Sequence, residues 1–193
     1  MSMRIYVQGS RKPDEGMTEL IRQFGIQMRD RGCTCLVGSK GDIPRILEKV
    51  GVPCIWYAAS EFPSDAPGNR TRCYASLALT VNDDPEFQHW YGPVEVSRIG
   101  WALRLVDWAA NADAYMFFPG AEGTLAHFFS TVAFAMRDAE EGKPKRFVLI
   151  GWPDEQIGAI RTLFDFNAPG REWFHHFPAD HVNLAVDFLL QDA

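Results

Sequence analysis

Chemistry in this chain concentrates in Asp113-Ala-Tyr-Met-Phe-Phe-Pro119-Gly120-Ala121-Glu122-Gly123-Thr124-Leu125-Ala126-His127. A wholly apolar run at 114–118 enters a glycine-bearing turn, and the turn opens a helical segment. Glycine lets a backbone approach a ligand closely. A helix start offers N–H groups without intrahelical partners and a partial positive charge. Together they suit a phosphate or carboxylate. The same pattern also fits a tight strand-to-helix connection that holds nothing. Thr124 adds a hydroxyl to the cradle or serves as the helix N-cap.

His127 is expected in the first turn of that helix, where the terminus disfavours a cation and keeps the imidazole neutral. A neutral imidazole accepts a proton or hydrogen-bonds a ribose hydroxyl. The alternative is packing on aromatic neighbours such as Phe128. Glu122 faces solvent or supplies a carboxylate. Beside a phosphate it is repelled unless a cation such as Arg104 intervenes. On its own, Arg104 suits an ion pair with Asp107 three residues on.

Short β-type runs alternate with helical ones and must position these groups. Strands are expected at 4–8, 33–37, 52–57, 114–118 and 147–150. Helices are expected at about 17–30, 42–51, 94–111, 124–141, 155–164 and 180–190. Gly32 suits a helix stop, and Gly142 with Pro144 closes the helix begun at Thr124. Such alternation predicts a doubly wound, mostly parallel α/β sheet with right-handed crossovers and helices on both faces. Ligands in such sheets sit beyond the carboxyl ends of the strands, at the switch point. That rule selects Gly9 and Ser10, the turn from Gly38 and Ser39 to Asp42, and the loop Pro119, Gly120, Ala121, Glu122, Gly123, Thr124. Residues 58–92 carry Pro63, Pro67, Gly68, Asn69, Pro85 and Gly92 without a sustained period, and read as a long irregular connection. Within it, 73–81 fits a short strand or a turn of helix. Gly68 to Arg72 is a solvated loop or a flap that carries an Arg to the ligand.

The 193 residues form one expected domain, 47% hydrophobic and 23% charged, which excludes a disordered chain. A formal net charge of −6 argues against nucleic acid as a partner. The longest apolar region, Trp108 to Met136, is broken by Asp113, Pro119, Glu122 and His127, so no membrane span is expected. Met1-Ser-Met-Arg-Ile-Tyr-Val lacks a signal-peptide core. Cys33 and Cys35 lie one residue apart, unlike zinc or thioredoxin-type spacings, and Cys54 reads as a buried hydrophobe. A reduced cytoplasmic protein is the expectation. His175, His176 and His181 lack acidic or Cys partners at ligand spacing, so neither a metal nor a cofactor is expected. Trp90, Tyr91, Trp101 and Trp108 suit core or dimer contact more than base stacking.

Pro119-Gly-Ala-Glu-Gly-Thr-Leu-Ala-His127 resembles the PGGxGTxxE signature of the LOG ("lonely guy") proteins. These are cytokinin-activating phosphoribohydrolases, formerly labelled possible lysine decarboxylases. The wider group contains predicted Rossmann-type nucleotide-binding proteins and a molybdenum-cofactor carrier. The family Arg fifteen residues before the motif's Pro falls on Arg104, which the resemblance implies would fork onto a phosphate or ribose phosphate. Ala112-Asp-Ala-Tyr115 resembles the family's SDAF or ADAF strand. Gly142-Lys-Pro-Lys-Arg-Phe-Val-Leu-Ile150 resembles its GKPVxLL entry.

The resemblance implies a Rossmann-like fold, AMP-like substrates, homodimers, and hydrolysis by an Arg and Glu pair. Here the family Glu is His127 and the motif's second Gly is Ala121, while Glu122 fills a variable position. Hydrolysis therefore does not carry over intact. The reading that follows is a protein that binds AMP or another ribose-phosphate ligand at this loop without turnover. The alternative is an N-glycosidase that splits a nucleoside monophosphate into base and ribose 5-phosphate through Arg104 with His127 or Glu122. A second alternative is a dimeric scaffold without a ligand.

Overall fold

Ile5 and Val7 face one side of strand β1 (Arg4–Gln8) and Tyr6 faces the other, and all three are buried. The alternation continues across a computed structural model that describes residues 2–59, 71–92, 94–140, 145–167 and 174–191. The further strands are β2 (Thr34–Gly38), β3 (Cys54–Ala58), β4 (Thr71–Cys73), β5 (Ala114–Phe117), β6 (Arg146–Ile150) and β7 (His175–Phe177). All seven pair in parallel in one sheet, ordered β4-β3-β2-β1-β5-β6-β7. The chain thus builds outward from β1 through β4, returns, and builds the other way from β5. The switch point falls between β1 and β5, with Tyr6 opposite Tyr115. This is the Rossmann-like α/β architecture, with no antiparallel strand among the described residues.

Between the strands run α1 (Glu15–Asp30), α2 (Ile43–Lys49), α3 (Ala75–Asn82), α4 (Pro85–Tyr91), α5 (Val96–Ala110), α6 (Glu122–Glu140), α7 (Asp154–Asn167) and α8 (Val182–Leu189). One sheet face is mainly aliphatic: Ile5, Val7, Val37, Met116, Val148 and Ile150 pack on Leu20, Ile21 and Phe24 of α1, Leu47 of α2 and Val186 of α8. The other is aromatic: Tyr6, Tyr57, Tyr115, Phe117 and Phe147 meet Trp108 of α5, Phe128 of α6 and Ile157 of α7. Trp108 is fully buried, stacks on Tyr6 with centroids 4.2 Å apart, and donates its indole N–H to the Leu36 carbonyl at 3.1 Å. It belongs to the core and is not available for a dimer contact.

The stretch expected to be an irregular connection contains β4, α3 and α4, so 75–81 is helix. The α4 helix is capped by Asp84, whose carboxylate accepts from the Glu86 and Phe87 amides. Strand β7 lies where a plain connection was expected. The helix expected from Thr124 starts earlier: the Ala121 carbonyl accepts from the Thr124 and Leu125 amides at 2.9 and 3.3 Å, so Ala121 holds the cap position. His127 accordingly stands in the second turn. Pro63, Pro67, Gly68, Asn69, Arg70, Gly142 and Pro144 lie outside the described residues. Gly32 ends α1 at φ +65°, a conformation that suits glycine.

Candidate functional site

Above the switch point, the loops after β1, β2 and β5 and the face of α5 enclose a cleft of about 700 Å³. Gly9, Ser10, Gly38, Ser39, Ala121, Glu122, Gly123, Thr124, Arg104 and His127 line it together. Pro119 and Gly120 lie behind them in the same loop. Pro119 fixes the loop through its carbonyl, which accepts from the Ser10 amide at 2.9 Å. Gly120 is required for space: a Cβ there would collide with the Thr124 hydroxyl and sit 2.8 Å from Thr124 Cβ and 3.0 Å from the Ser10 nitrogen. Thr124 is buried beneath that glycine, so its side chain supports the cradle from inside the first turn of α6.

Gly9 and Gly38 do comparable packing work. A Cβ on Gly9 would meet Phe118 Cβ at 2.8 Å, and one on Gly38 would meet the Trp108 ring at 3.3 Å. Gly41, at φ +102°, allows the β2 loop to seat against Arg11, with a hypothetical Cβ 2.9 Å from Arg11 Cα. The Asp42 amide donates to the Arg11 carbonyl at 3.0 Å, so the two loops form one rim.

Trp101, Arg104 and Trp108 share a face of α5 at helical spacing. That face presents Arg104 to the cleft. Its Nη2 lies 3.2 Å from His127 Nε2, its Cζ lies 5.5 Å from the Trp108 ring centroid, and its buried Nε has no hydrogen-bond partner. Among the described residues no carboxylate lies within ion-pair distance of Arg104. The candidate pairing with Asp107 is not formed: that carboxylate takes Arg72 at 2.8 Å, the Tyr74 hydroxyl, and Asn111 at 2.8 Å. Arg72 thereby joins the structural network on the side of Tyr57, away from the cleft lining.

His127 is 4% exposed and packs edge-on against Trp101 and Trp108, with centroids 5.6 and 5.4 Å away, rather than on Phe128. Its Nδ1 is hydrogen-bonded to the Tyr6 hydroxyl. Burial, and then the charge of Arg104, pushes the imidazole down to about 3. The ring is neutral as expected, but desolvation is the main cause. Burial also pushes the Tyr6 phenol well up, with Arg104 opposing, and lowers Arg104 from its usual range, with Tyr6 opposing.

The pattern of residues had not marked Arg11, Lys12 or Trp101 as cleft residues, nor Tyr6 as the partner of His127, whereas Lys40 lies inside the selected turn from Gly38 to Asp42. Arg11, Lys12 and Lys40 line the rim, and Trp101, 39% exposed, forms part of the wall. The signal for the first two was available, since they directly follow Gly9-Ser10. Tyr6 sits between buried Ile5 and Val7, where a buried hydroxyl needs a partner. His176 Nε2 donates to the Trp152 carbonyl, 3.1 Å away, and His175 packs on Phe188. Among the described residues no group of three or more His, Cys, Asp or Glu gathers to hold a metal ion. No described helix is long and apolar enough to cross a membrane.

No family model matches the chain, and no curated protein matches it. Solved structures of the Moco carrier protein from Chlamydomonas reinhardtii superpose over nearly the whole length. One gives a TM-score of 0.58 at 18% identity and covers 100% of both chains. Another, of the molybdenum cofactor carrier protein from the same organism, gives 0.59 at 17% identity and covers 98% of this chain and 99% of that one. The likeness is one of fold.

Proposed function

We propose that the chain binds a phosphate-bearing, nucleotide-like small molecule, such as AMP or another ribose-phosphate ligand, and holds it without turnover. The observation that carries this reading is Arg104, a guanidinium with no carboxylate partner among the described residues, facing a cleft whose floor is the start of α6. First-turn amides and the helix dipole favour an anion there, and Arg104, Arg11, Lys12 and Lys40 add positive charge. The N-glycosidase alternative needs a proton carrier. His127 has both ring nitrogens engaged, and Glu122 is exposed at the rim. The fold likeness to a molybdenum cofactor carrier favours holding over cleavage and makes that cofactor a candidate cargo.

Calorimetry with AMP, ribose 5-phosphate, adenosine and molybdenum cofactor, followed by chromatography, tests the reading. Binding of a phosphorylated ligand, none of adenosine, and no base release are expected. Base release that disappears in Arg104→Ala would establish the glycosidase instead. Absence of binding by every phosphorylated ligand would leave the scaffold. The reading includes a cytoplasmic homodimer. We assign the dimer contact to Trp90 and Tyr91 of α4, which are 72% and 71% exposed. Sedimentation showing a monomer at all concentrations would remove it.

A further inference from the structure

We propose that His127 is a positioning residue: a neutral strut that accepts from Arg104, donates to Tyr6, and holds the guanidinium over the cleft with its positive charge uncompensated. The inference builds on the ligand-binding reading above, but its first test needs no ligand.

The tautomer follows from the partners. A guanidinium has only donors, so His127 Nε2, 3.2 Å from Arg104 Nη2, must present its lone pair. In a neutral ring the proton is then on Nδ1, which donates to the Tyr6 hydroxyl oxygen. A ring protonated on Nε2 would set two donors face to face. An imidazolium would add a second cation beside Arg104 in a buried site, and burial already holds this ring neutral. Among the described residues, Arg104 from α5 and Tyr6 from β1 are the ionisable groups against the ring. Arg11, Lys12, Lys40 and Glu122 line the same cleft. Trp101 and Trp108 close the ring's remaining sides.

A carboxylate at position 127 would also orient Arg104, but it would neutralise it. The imidazole orients without neutralising. The cleft is thereby selective for a ligand carrying negative charge at the Arg104 position, and it lacks a carboxylate base there.

Long-range proton–nitrogen NMR of the unliganded protein reads the tautomer directly, with the His127 signal assigned by its loss in His127→Gln. The expected spectrum has Nδ1 protonated and Nε2 bare, unchanged from pH 5.5 to 8. A proton on Nε2, or a ring that titrates within that range, overturns the proposal whether or not AMP binds. With AMP as probe, His127→Gln, whose amide can accept from Arg104 and donate to Tyr6, should keep affinity within about threefold. His127→Glu should lose about tenfold or more through charge compensation of Arg104. A glutamine variant that folds as the wild type yet loses as much as His127→Ala, or a glutamate variant that binds AMP as tightly as the wild type, also overturns it. Failure of wild-type protein to bind AMP, with the expected NMR spectrum, counts against the ligand reading and leaves the strut standing.

Discussion

Arg104 and His127 divide the work of the cleft: one offers charge, the other geometry. Replacing Arg104 by Ala should remove charge-assisted hydrogen bonds to a phosphate, an effect of about 1.5–3 kcal/mol, or roughly a 10- to 150-fold loss of affinity by calorimetry. Arg104→Lys should recover only part, because an ammonium cannot reproduce the planar fork. His127 also makes stability depend on pH. Its folded form titrates at about 3, and an imidazole in the unfolded chain near 6.5. Between those values the unfolded state binds the extra proton, so stability falls as pH drops below about 6.5 and continues to fall toward 3. From pH 6.5 to 5 this residue should contribute a loss of about 2 kcal/mol. Denaturant titration should show that slope flattened in His127→Gln. Asp107 works at lower pH: burial tends to raise it, but hydrogen bonds from Tyr74 and Arg72 lower it overall. Its contribution is present above the ordinary carboxylate range and is lost as the pH falls through the depressed value.

The loop from β5 into α6 is an element in which room decides identity. Gly120→Ala should push Thr124 and Ser10 apart, cost about 1–3 kcal/mol as an overpacking change, and weaken ligand binding. Gly123→Ala meets open space and should stay within about 0.5 kcal/mol of wild type. Thermal melts of the two variants beside AMP titrations check both. The same loop shows how far residue patterns reach. The apolar run at 114–118 and the glycines announce a buried strand entering a helix, and the switch-point rule places Gly9, Ser39 and Thr124 at the same end of the sheet, where they line one cleft. Thr124 as N-cap was the natural reading of a hydroxyl before an apolar helix. The backbone starts the helix at Glu122 instead, because the hydroxyl is tucked under Gly120. The α4 helix carried a legible start in Asp84-Pro85. It has no fully buried residue, so no apolar period marked its length. Strand β7 is three residues long, too short for alternation to register. Tyr6 could be assigned to a strand, but only the fold brings it to His127, 121 positions away in sequence.

At the scale of the whole molecule, charge and topology point the same way. The chain carries a net −6, yet among the described residues around the cleft Arg11, Lys12, Lys40 and Arg104 meet a single carboxylate, Glu122. A local positive field on an acidic protein steers anions to one place. Affinity for AMP should therefore fall severalfold as ionic strength rises from about 0.1 to 1 M, where the screening length shrinks from about 10 to 3 Å. The two halves of the sheet, built outward from β1 and β5, separate their loops above the switch point, where the cleft lies. On the reading proposed above, this cleft holds a phosphate. A crystal structure of the protein with AMP, or with the tightest phosphorylated ligand of the panel, tests it most directly. The account requires phosphate oxygens within hydrogen-bond distance of the first-turn amides of α6, with the Arg104 guanidinium closing over them. A phosphate bound elsewhere, or one that leaves Arg104 untouched, would contradict it.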